Sequence, residues 1–391
     1  MSAPLDIFFV CYYSLACNSG AQIFSLANHL AARGHRVTVF VPFTPEATAS
    51  LGEAQFRTRP FTELSAAVAE SAAGGRRAVA HVWTPRENVR QFTLELVRLR
   101  RLPYIVHLED NEPLITSTNT GIAFAELARR PAEEAARIVG ERLTNPQHFV
   151  PFLSAAAGVT GLIDRLMEFV PPGPKQLVFW PGYNERLFQA VPRNDGLRRQ
   201  HGIGDQEVCL AYAGNVATVN RDEVRSLYLS VAVLGRMGIP ARLVRAGEDY
   251  VPLFPSPLEE VAPRIVDLGR LPHREIPPVY AMADFLVQPG RPDPFNDFRF
   301  PSKLPEFFAT GRPVLLPATN LGRFVRDGID AVVLQEGHAM EIAEKIAALV
   351  RHPALSQRLA DQAATFARDH FQWSQIAQQV ETLYLEILAP A

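Results

Sequence analysis

The most informative segment of this chain is Phe300-Pro-Ser-Lys-Leu-Pro-Glu-Phe-Phe-Ala-Thr-Gly-Arg-Pro-Val314. Pro301 and Ser302 suit the start of a short helix, and Gly311 followed by Pro313 suits its end. The segment therefore predicts one short helix that stops in a tight Gly-Arg-Pro turn just before the next strand.

The chemistry of this helix depends on two charged residues. Lys303 and Glu306 are three positions apart, so on a helix they share a face. A lysine in the first turn can hold a phosphate, and a carboxylate one turn later can accept hydrogen bonds from sugar hydroxyls. The two side chains can equally pair with each other on an ordinary surface helix, and their spacing alone does not decide between these readings.

Length and composition define the class of protein. With 391 residues the chain is too long for one compact core, which predicts two domains. A hydrophobic content of 47% with 20% charged residues is typical of a globular enzyme and excludes a disordered or fibrous chain. The net charge of −2 gives no reason to expect a nucleic acid partner.

The cysteines and the N-terminus bear on location. Cys11, Cys17 and Cys209 make no disulfide framework, and the spacing of the first two is not that of a two-residue redox motif, so we predict packing roles in a reducing cytoplasm. The opening segment lacks a basic n-region, and no apolar run reaches the length of a membrane span. Peripheral contact with the inner face of a membrane stays open, because the first half carries scattered arginines: Arg98, Arg100, Arg101, Arg129, Arg130, Arg137 and Arg142.

Both halves of the chain alternate short apolar runs with amphipathic segments, which predicts two α/β domains with parallel sheets. The strands expected in the first half are Ile7–Val10, Val37–Val41, Val79–Val82, Tyr104–His107, Gly158–Thr160 and Leu177–Phe179. Those expected in the second half are Val208–Ala213, Leu243–Val244, Ile265–Leu268, Phe285–Val287, Val314–Leu316 and Val332–Leu334.

Several motifs in order along the chain resemble the retaining family-4 glycosyltransferases, the glycosyl transferases group 1. They are Asn18-Ser-Gly-Ala21, Arg33-Gly-His-Arg-Val37, Trp180-Pro-Gly-Tyr-Asn184, Ala283-Asp284 and Gln288-Pro-Gly290. The resemblance implies the GT-B fold, in which two Rossmann-like domains face each other across a cleft and the last helix crosses back to the first domain. We therefore predict a first domain of residues 1–188 with the C-terminal helix 373–391, and a second domain of residues 189–372.

The resemblance also implies a donor site for a nucleoside diphosphate sugar. We expect it to use Gly20, Asn215, Arg221, Ser302, Lys303 and Glu306, with Glu306 on the ribose. Gly20 lies where a turn from strand to helix exposes backbone N–H groups, and a residue without a side chain lets phosphates come close. The alternative is that Gly20 merely makes the turn tight. Asn215 departs from the family, which has an arginine at this position.

The expected catalytic residues are His107, Asp297 and Glu306. His107 ends a predicted strand and matches a histidine that lies beside the reacting sugar in the family, although a lone histidine is more often a hydrogen-bonded core residue. The family has a first glutamate eight positions before Glu306, where this chain has Phe298. Asp297 is the nearest substitute, and this departure leaves the sugar of the donor open.

The loop after His107 carries three carboxylates. Glu109, Asp110 and Glu112 can bind the hydroxyls of an acceptor, and Asp110 or Asn111 can instead cap the helix that follows.

These observations predict a glycosyltransferase that moves a hexosyl or related group, with retention, to a hydroxyl of a sugar, lipid-linked or small-molecule acceptor. By resemblance the reaction needs no metal and no cofactor besides the nucleotide sugar. Two alternatives remain. One is a degenerate, inactive binding subunit, which the Asn215 and Phe298 departures suggest. The other is a further GT-B sugar-nucleotide enzyme such as an epimerase.

Overall fold

The computed structural model describes residues 3–43, 51–256 and 258–389 of the chain. It divides into two units, the first comprising Met1–Pro181, Phe298–Phe300 and Trp373–Ala391, and the second Gly182–Asp297 and Pro301–Gln372. Both units are α/β, so the predicted fold class is confirmed. Among the described residues, no helix is long and apolar enough to cross a membrane.

In the described part of the chain, the first unit contains seven strands and their connecting helices. In chain order these are β1 (Asp6–Val10), α1 (Asn18–Ala32), β2 (Arg36–Val41), β3 (Arg57–Pro60), α2 (Leu64–Ala73), β4 (Ala78–Trp83), α3 (Glu87–Arg100), β5 (Tyr104–Leu108), α4 (Glu112–Thr120), α5 (Phe124–Leu127), α6 (Ala132–Val139), α7 (Pro146–Ser154), β6 (Gly158–Gly161) and β7 (Lys175–Val178).

The strands of the first unit form a parallel sheet in the order β3-β2-β1-β4-β5-β6-β7. β1, β4 and β5 are buried along their whole length, as expected of strands covered by helices on both faces. The strand order reverses direction between β1 and β4. In open α/β sheets, ligands bind outside the carboxyl ends of the strands at such a point.

The second unit repeats this plan. Its elements are α8 (Asp195–Gln200), β8 (Val208–Ala213), α9 (Arg221–Arg236), β9 (Ala241–Ala246), β10 (Ile265–Asp267), α10 (Ile276–Ala281), β11 (Phe285–Val287), α11 (Leu304–Ala309), β12 (Val314–Pro317), β13 (Val332–Leu334), α12 (Ala339–Arg351) and α13 (Pro353–His370). The sheet is parallel, in the order β10-β9-β8-β11-β12-β13, and the order reverses between β8 and β11. Its core combines the apolar residues of the central strands with those of α9 and α12.

The last helix, α14 (Trp373–Ile387), belongs to the first unit, as the sequence predicts. It packs against α1, and the buried Glu381 accepts a hydrogen bond from Arg33 Nε. Tyr384 is fully buried, and its hydroxyl lies 2.7 Å from Nδ1 of His81 in β4. These polar contacts add directional bonds to the apolar burial that holds α14 in place.

Two details of the predicted domain boundaries differ in the structure. Residues 182–188 lie in the second unit, because Tyr183 pairs with Gln372 and the ring of Phe188 packs 5.2 Å from that of His273. Residues Phe298–Phe300 group with the first unit instead of the second. β3 is not among the predicted strands, because it has two arginines and a proline in four residues and therefore no apolar run.

Candidate functional site

The carboxyl edge of the second sheet is formed by loops that touch through their backbones. A Cβ atom on Gly247, after β9, would lie 2.2 Å from the carbonyl oxygen of Gly214, after β8. Gly247 also has a φ of +142°, which side-chain-bearing residues rarely adopt. Gly290, after β11, lies at the same edge beyond the reversal of strand order. Glycines therefore bring the backbones of the loops after β8 and β9 together at the edge where such sheets bind ligands.

Lys303 directs its charge to this edge. It immediately precedes α11, and its Nζ lies 4.8 Å from the centre of the Tyr212 ring in β8. A Cβ atom on Gly214 would be 3.1 Å from the same nitrogen. The Tyr212 ring provides a cation–π contact on one side of the ammonium group. Lys303 thus places a positive charge beside the loop after β8.

Glu306, in the first turn of α11, does not pair with Lys303. Its Oε1 lies 2.6 Å from Nε2 of His273, and the Tyr280 hydroxyl donates a longer hydrogen bond of 3.5 Å to Oε2. The hydrogen bond to Glu306 raises the pKa of His273 above its usual value, against the opposing effect of burial. Glu306 therefore bonds to His273, which is far away in sequence, and not to Lys303, as its spacing in the sequence also allowed. The carboxylate retains 15% exposure and can accept further hydrogen bonds.

The other predicted donor residues differ in availability. The Asn215 side chain accepts a hydrogen bond of 2.9 Å from the backbone N–H of Glu248 and donates one of 3.2 Å to the Tyr250 hydroxyl. Asn215 therefore ties two loops of this edge together. Arg221 is the first residue of α9 and is partly exposed, and Ser302 is exposed.

The segment before α11 is anchored by side chains. Asp297 accepts a hydrogen bond from the Thr319 hydroxyl, and its backbone N–H donates one of 2.9 Å to the carbonyl of Asp293. Asn296, which the sequence analysis did not single out, is buried and donates from its amide to Glu223. Its neighbour Phe298 lies in the first unit, with its ring 5.1 Å from that of Phe169. We therefore find Phe298 to be a packing residue and Asp297 a hydrogen-bonded carboxylate.

At the edge of the first sheet, His107 is completely buried near the end of β5. Its ring stacks on Trp83 at 3.9 Å between ring centres and on Phe179 at 5.1 Å, and its Nδ1 lies 2.8 Å from the Thr160 hydroxyl. Burial holds the pKa of His107 well below its usual value, so the ring is neutral. The ring is a packing element here, and its predicted catalytic role stays a prediction.

The carboxylates after β5 have three different environments. Glu109 is buried and accepts hydrogen bonds from the Ser19 hydroxyl and from Trp83 Nε1, the latter at 2.9 Å. Burial outweighs these donors and raises the pKa of Glu109 to about 8. Burial and the charge of Glu112 also raise the pKa of the partly exposed Asp110.

Glu112 and Asn111 have structural partners. Glu112 is buried, pairs with Arg86 at 3.3 Å and accepts a bond of 2.6 Å from Thr144. Asn111 caps α4 by accepting a hydrogen bond of 3.0 Å from the backbone N–H of Leu114. Of the two cap candidates in the sequence, Asn111 is thus the one used. Asp110 remains the most accessible carboxylate of the three predicted acceptor residues.

The turn at Gly20 is filled by the protein itself. A Cβ atom at this position would lie 2.4 Å from Cα of Leu15, and the N–H of Gly20 donates to Cys17 Sγ at 3.4 Å. Glycine is therefore required for the packing of the loop between β1 and α1. This is the tight-turn alternative of the sequence analysis, and donor binding by Gly20 stays a prediction.

Thr84, at the carboxyl edge of the first sheet, is not among the residues predicted from the sequence. Thr84 follows β4 with a φ of +69°, which is a rare backbone state for a β-branched residue. It is buried, and its hydroxyl has no hydrogen-bond partner among the described residues. Backbone strain of this kind is enriched at functional sites. No sequence signal distinguishes this threonine from any other residue at a strand end.

Comparison with known proteins agrees with this architecture. Residues 207–352 match the family model of the glycosyl transferases group 1. This part of the chain is therefore similar to a group 1 glycosyltransferase domain. The match covers most of the second unit, including Lys303, Glu306 and the glycine loops.

Solved structures extend the similarity of fold to nearly the whole chain. An alpha-D-kanosaminyltransferase of Streptomyces kanamyceticus is 25% identical over 203 residues, so the chain spans about half the length of this curated relative (50%). Sucrose-phosphate synthase of Thermosynechococcus elongatus matches with a TM-score of 0.67 and 18% identity, over 99% of this chain and 100% of that one. HepE of Anabaena, in complex with UDP and glucose, matches with a TM-score of 0.67 and 16% identity over 97% and 99%. At these identities the structural matches show a shared GT-B fold.

Proposed function

We propose that this protein transfers a sugar from a nucleoside diphosphate sugar to an acceptor hydroxyl, with retention of anomeric configuration. The observation that carries the proposal is the arrangement at the second sheet, where the Lys303 ammonium lies beside the Gly214 loop and the Glu306 carboxylate is held by His273. A diphosphate needs a cation and close access to backbone N–H groups, and a ribose needs a hydrogen-bond acceptor. This edge supplies the cation in Lys303 and the hydrogen-bond acceptor in Glu306.

The chemistry assigned to these residues is electrostatic. When the glycosidic bond of the donor breaks, negative charge accumulates on the departing diphosphate. Lys303 and Arg221 would stabilise that charge, and Glu306 would fix the nucleoside by accepting hydrogen bonds from the ribose. The departing phosphate would take the proton of the acceptor hydroxyl on the same face. Placement and charge stabilisation are then the contributions of the protein.

The acceptor would bind to the first unit, with Asp110 as the most accessible predicted contact. Two neighbours support a nucleotide sugar as donor, since HepE is found with UDP and glucose and another relative is named a kanosaminyltransferase. The sugar and the acceptor of this protein are separate questions from its nucleotide site.

A binding subunit without activity is the second candidate. It is favoured by Asn215, which stands where the family has an arginine and is occupied by loop contacts, and by Asp297, whose carboxylate accepts from Thr319. Slow hydrolysis of the donor that is abolished by Glu306→Ala would count against this candidate. Isomerisation of the donor without transfer would indicate an epimerase instead.

The phosphate role of Lys303 can be tested by isothermal titration calorimetry with a nucleoside diphosphate and the corresponding nucleoside. A charge-assisted hydrogen bond contributes about 1.5–3 kcal/mol, so Lys303→Ala should weaken binding of the diphosphate about 10- to 150-fold. Binding of the nucleoside should change little. Lys345→Ala, in α12 of the same unit, is the matched control and should change neither affinity. Equal losses for both ligands in Lys303→Ala would contradict the assigned role.

A further inference from the structure

A chain of hydrogen bonds runs through the first unit from the last helix to the carboxyl edge of the sheet. The Tyr384 hydroxyl, in α14, lies 2.7 Å from Nδ1 of His81, and Nε2 of the same ring lies 2.8 Å from the Thr160 hydroxyl, in β6. That hydroxyl also lies 2.8 Å from Nδ1 of His107, in β5. All four side chains are fully buried. The chain ends at Nε2 of His107, which has no hydrogen-bond partner among the described residues.

The hydrogens available to this chain exceed its contacts by one. Burial lowers the pKa of His81 to about 3 and holds the pKa of His107 well below its usual value, so each ring is neutral and carries one hydrogen on nitrogen. The hydroxyls of Thr160 and Tyr384 carry one hydrogen each. Each of the three contacts holds one hydrogen, because two lone pairs or two hydrogens facing each other at 2.7–2.8 Å would repel. One of the four hydrogens is therefore left over.

The position of this fourth hydrogen follows from what surrounds each group. With a hydrogen on Nδ1 of His107, the hydrogen left over is that of the Thr160 or the Tyr384 hydroxyl. The Thr160 hydroxyl bridges the two imidazole rings, the Tyr384 hydroxyl belongs to α14, and neither has a further partner among the described residues. With a hydrogen on Nε2 of His107, the one left over lies near the carboxyl end of β5, where α/β sheets bind ligands. Only there can a ligand supply the acceptor that a buried donor requires.

A second unpartnered group belongs to the adjacent strand end. The backbone N–H of Thr84 donates a hydrogen bond of 3.1 Å to the carbonyl of His107. The Thr84 hydroxyl is buried and has no hydrogen-bond partner within the described part of the chain. Native proteins leave few buried polar groups unpaired, and such groups are explained by a catalytic role or by a partner that is not part of the protein. Two of them on residues joined by a backbone hydrogen bond indicate a ligand with oxygen atoms at this edge.

We propose that this hydrogen-bond chain holds His107 as the tautomer with its hydrogen on Nε2, and that this N–H group donates to an oxygen of the sugar substrate. His81, Thr160 and Tyr384 are then positioning residues, because they act through His107. The substrate role rests on the proposed transferase function, whereas the position of the hydrogen does not. A ring that stays neutral orients the substrate and does not exchange protons with it, since a general acid or base needs a pKa near the working pH.

The position of the hydrogen can be measured by nuclear magnetic resonance on the full chain, without ligand, at neutral pH. Nitrogen-labelled histidine distinguishes a protonated from an unprotonated ring nitrogen by its chemical shift. The signals of His107 are those that disappear in both His107→Gln and His107→Phe. We expect a protonated Nε2 and an unprotonated Nδ1 for His107, and the same for His81. A hydrogen on Nδ1 of His107, or a ring with both nitrogens protonated, would overturn the proposal.

Two substitutions of Thr160 test the chain as a positioning device. Thr160→Ser keeps the hydroxyl and should leave the nitrogen signals of both rings in place. Thr160→Val has nearly the same shape without the hydroxyl, so it should displace the signals of Nδ1 of His107 and Nε2 of His81. Unchanged signals in Thr160→Val would show that the hydroxyl does not bridge the rings and would overturn the proposal.

The substrate role is measured by release of the nucleoside diphosphate from UDP-, GDP-, ADP-, CDP- and dTDP-glucose. Thr160→Val should lower kcat/KM about 2- to 10-fold, the equivalent of one hydrogen bond, whereas Thr160→Ser should retain it. Turnover by Thr160→Val as fast as by the unmodified protein would overturn the substrate role. No turnover by the unmodified protein would count against the proposed function, and the nitrogen signals would still decide the tautomer of His107.

Discussion

Replacing Gly20 by alanine is a direct test of the packing at the start of α1. The added Cβ would lie 2.4 Å from Cα of Leu15 and 2.5 Å from its carbonyl carbon and oxygen. These are backbone atoms that cannot rotate away, so the loop must move. Overpacking of this kind costs up to about 3 kcal/mol, and alanine returns about 1 kcal/mol through its higher helix propensity. We therefore expect a net loss of about 2 kcal/mol, which in a unit of this size lowers the unfolding midpoint by about 4–8 °C.

The assay is differential scanning calorimetry of Gly20→Ala beside Gly196→Ala. Gly196 lies in α8, and the nearest atom to a Cβ there is Asn194 Oδ1 at an ordinary 3.5 Å. The control substitution should leave the midpoint unchanged or raise it, because it adds helix propensity without a clash. A Gly20→Ala protein that unfolds at or above the midpoint of the unmodified protein would refute the packing argument. It would also revive the prediction that Gly20 is small for the sake of a ligand.

Three further substitutions test individual contacts by urea unfolding. Burial raises the pKa of Glu109 to about 8 from an ordinary 4.5, so between these pH values the native state binds a proton that the unfolded chain releases. The free energy of unfolding should therefore fall as the pH rises from 4.5 to 8. Glu109→Gln should flatten this decline, and a variant with an unchanged pH profile would contradict the assigned pKa. Tyr384→Phe removes the hydroxyl 2.7 Å from the buried His81 Nδ1 and should cost about 1–3 kcal/mol, whereas a loss near zero would mean that the bond does not matter. Glu306 raises the pKa of His273 in the folded protein, so the pair stabilises the fold below the ordinary histidine pKa of about 6.5. This stabilisation is lost as the pH rises through the raised pKa of the folded state. His273→Asn should therefore lower the free energy of unfolding more at pH 6 than at pH 8.5, and the reverse order would be evidence against the pair.

The strands of both sheets were predictable because most of them are short apolar runs buried on both faces. β8, β11 and β13 begin and end at the predicted residues. β3 could not be found in this way. It lies at the edge of its sheet, is only partly buried, and keeps its arginines in contact with Glu70. Hydrophobic periodicity carries no signal for such a strand.

The candidate site was predictable only where neighbours in sequence are neighbours in space. The spacing of Lys303 and Glu306 indicated a shared helix face, but the partner of Glu306 is His273, which lies 33 positions away and reaches it through tertiary folding. Asn215 is similar, because its contacts come from the loop after β9. Local patterns therefore located the elements, and the partners of the polar side chains required the structure.

The central claim is that the second unit holds a nucleoside diphosphate. Thermal unfolding with a panel of UDP, GDP, ADP, CDP and dTDP tests it most directly. A ligand at about 100 times its Kd should stabilise the protein by about 2.7 kcal/mol and raise the midpoint by several degrees. We expect one member of the panel to give such a shift and Glu306→Gln to reduce it, with Glu344→Gln on the exposed side of α12 as the control. No shift with any diphosphate in a well-folded sample would contradict the account.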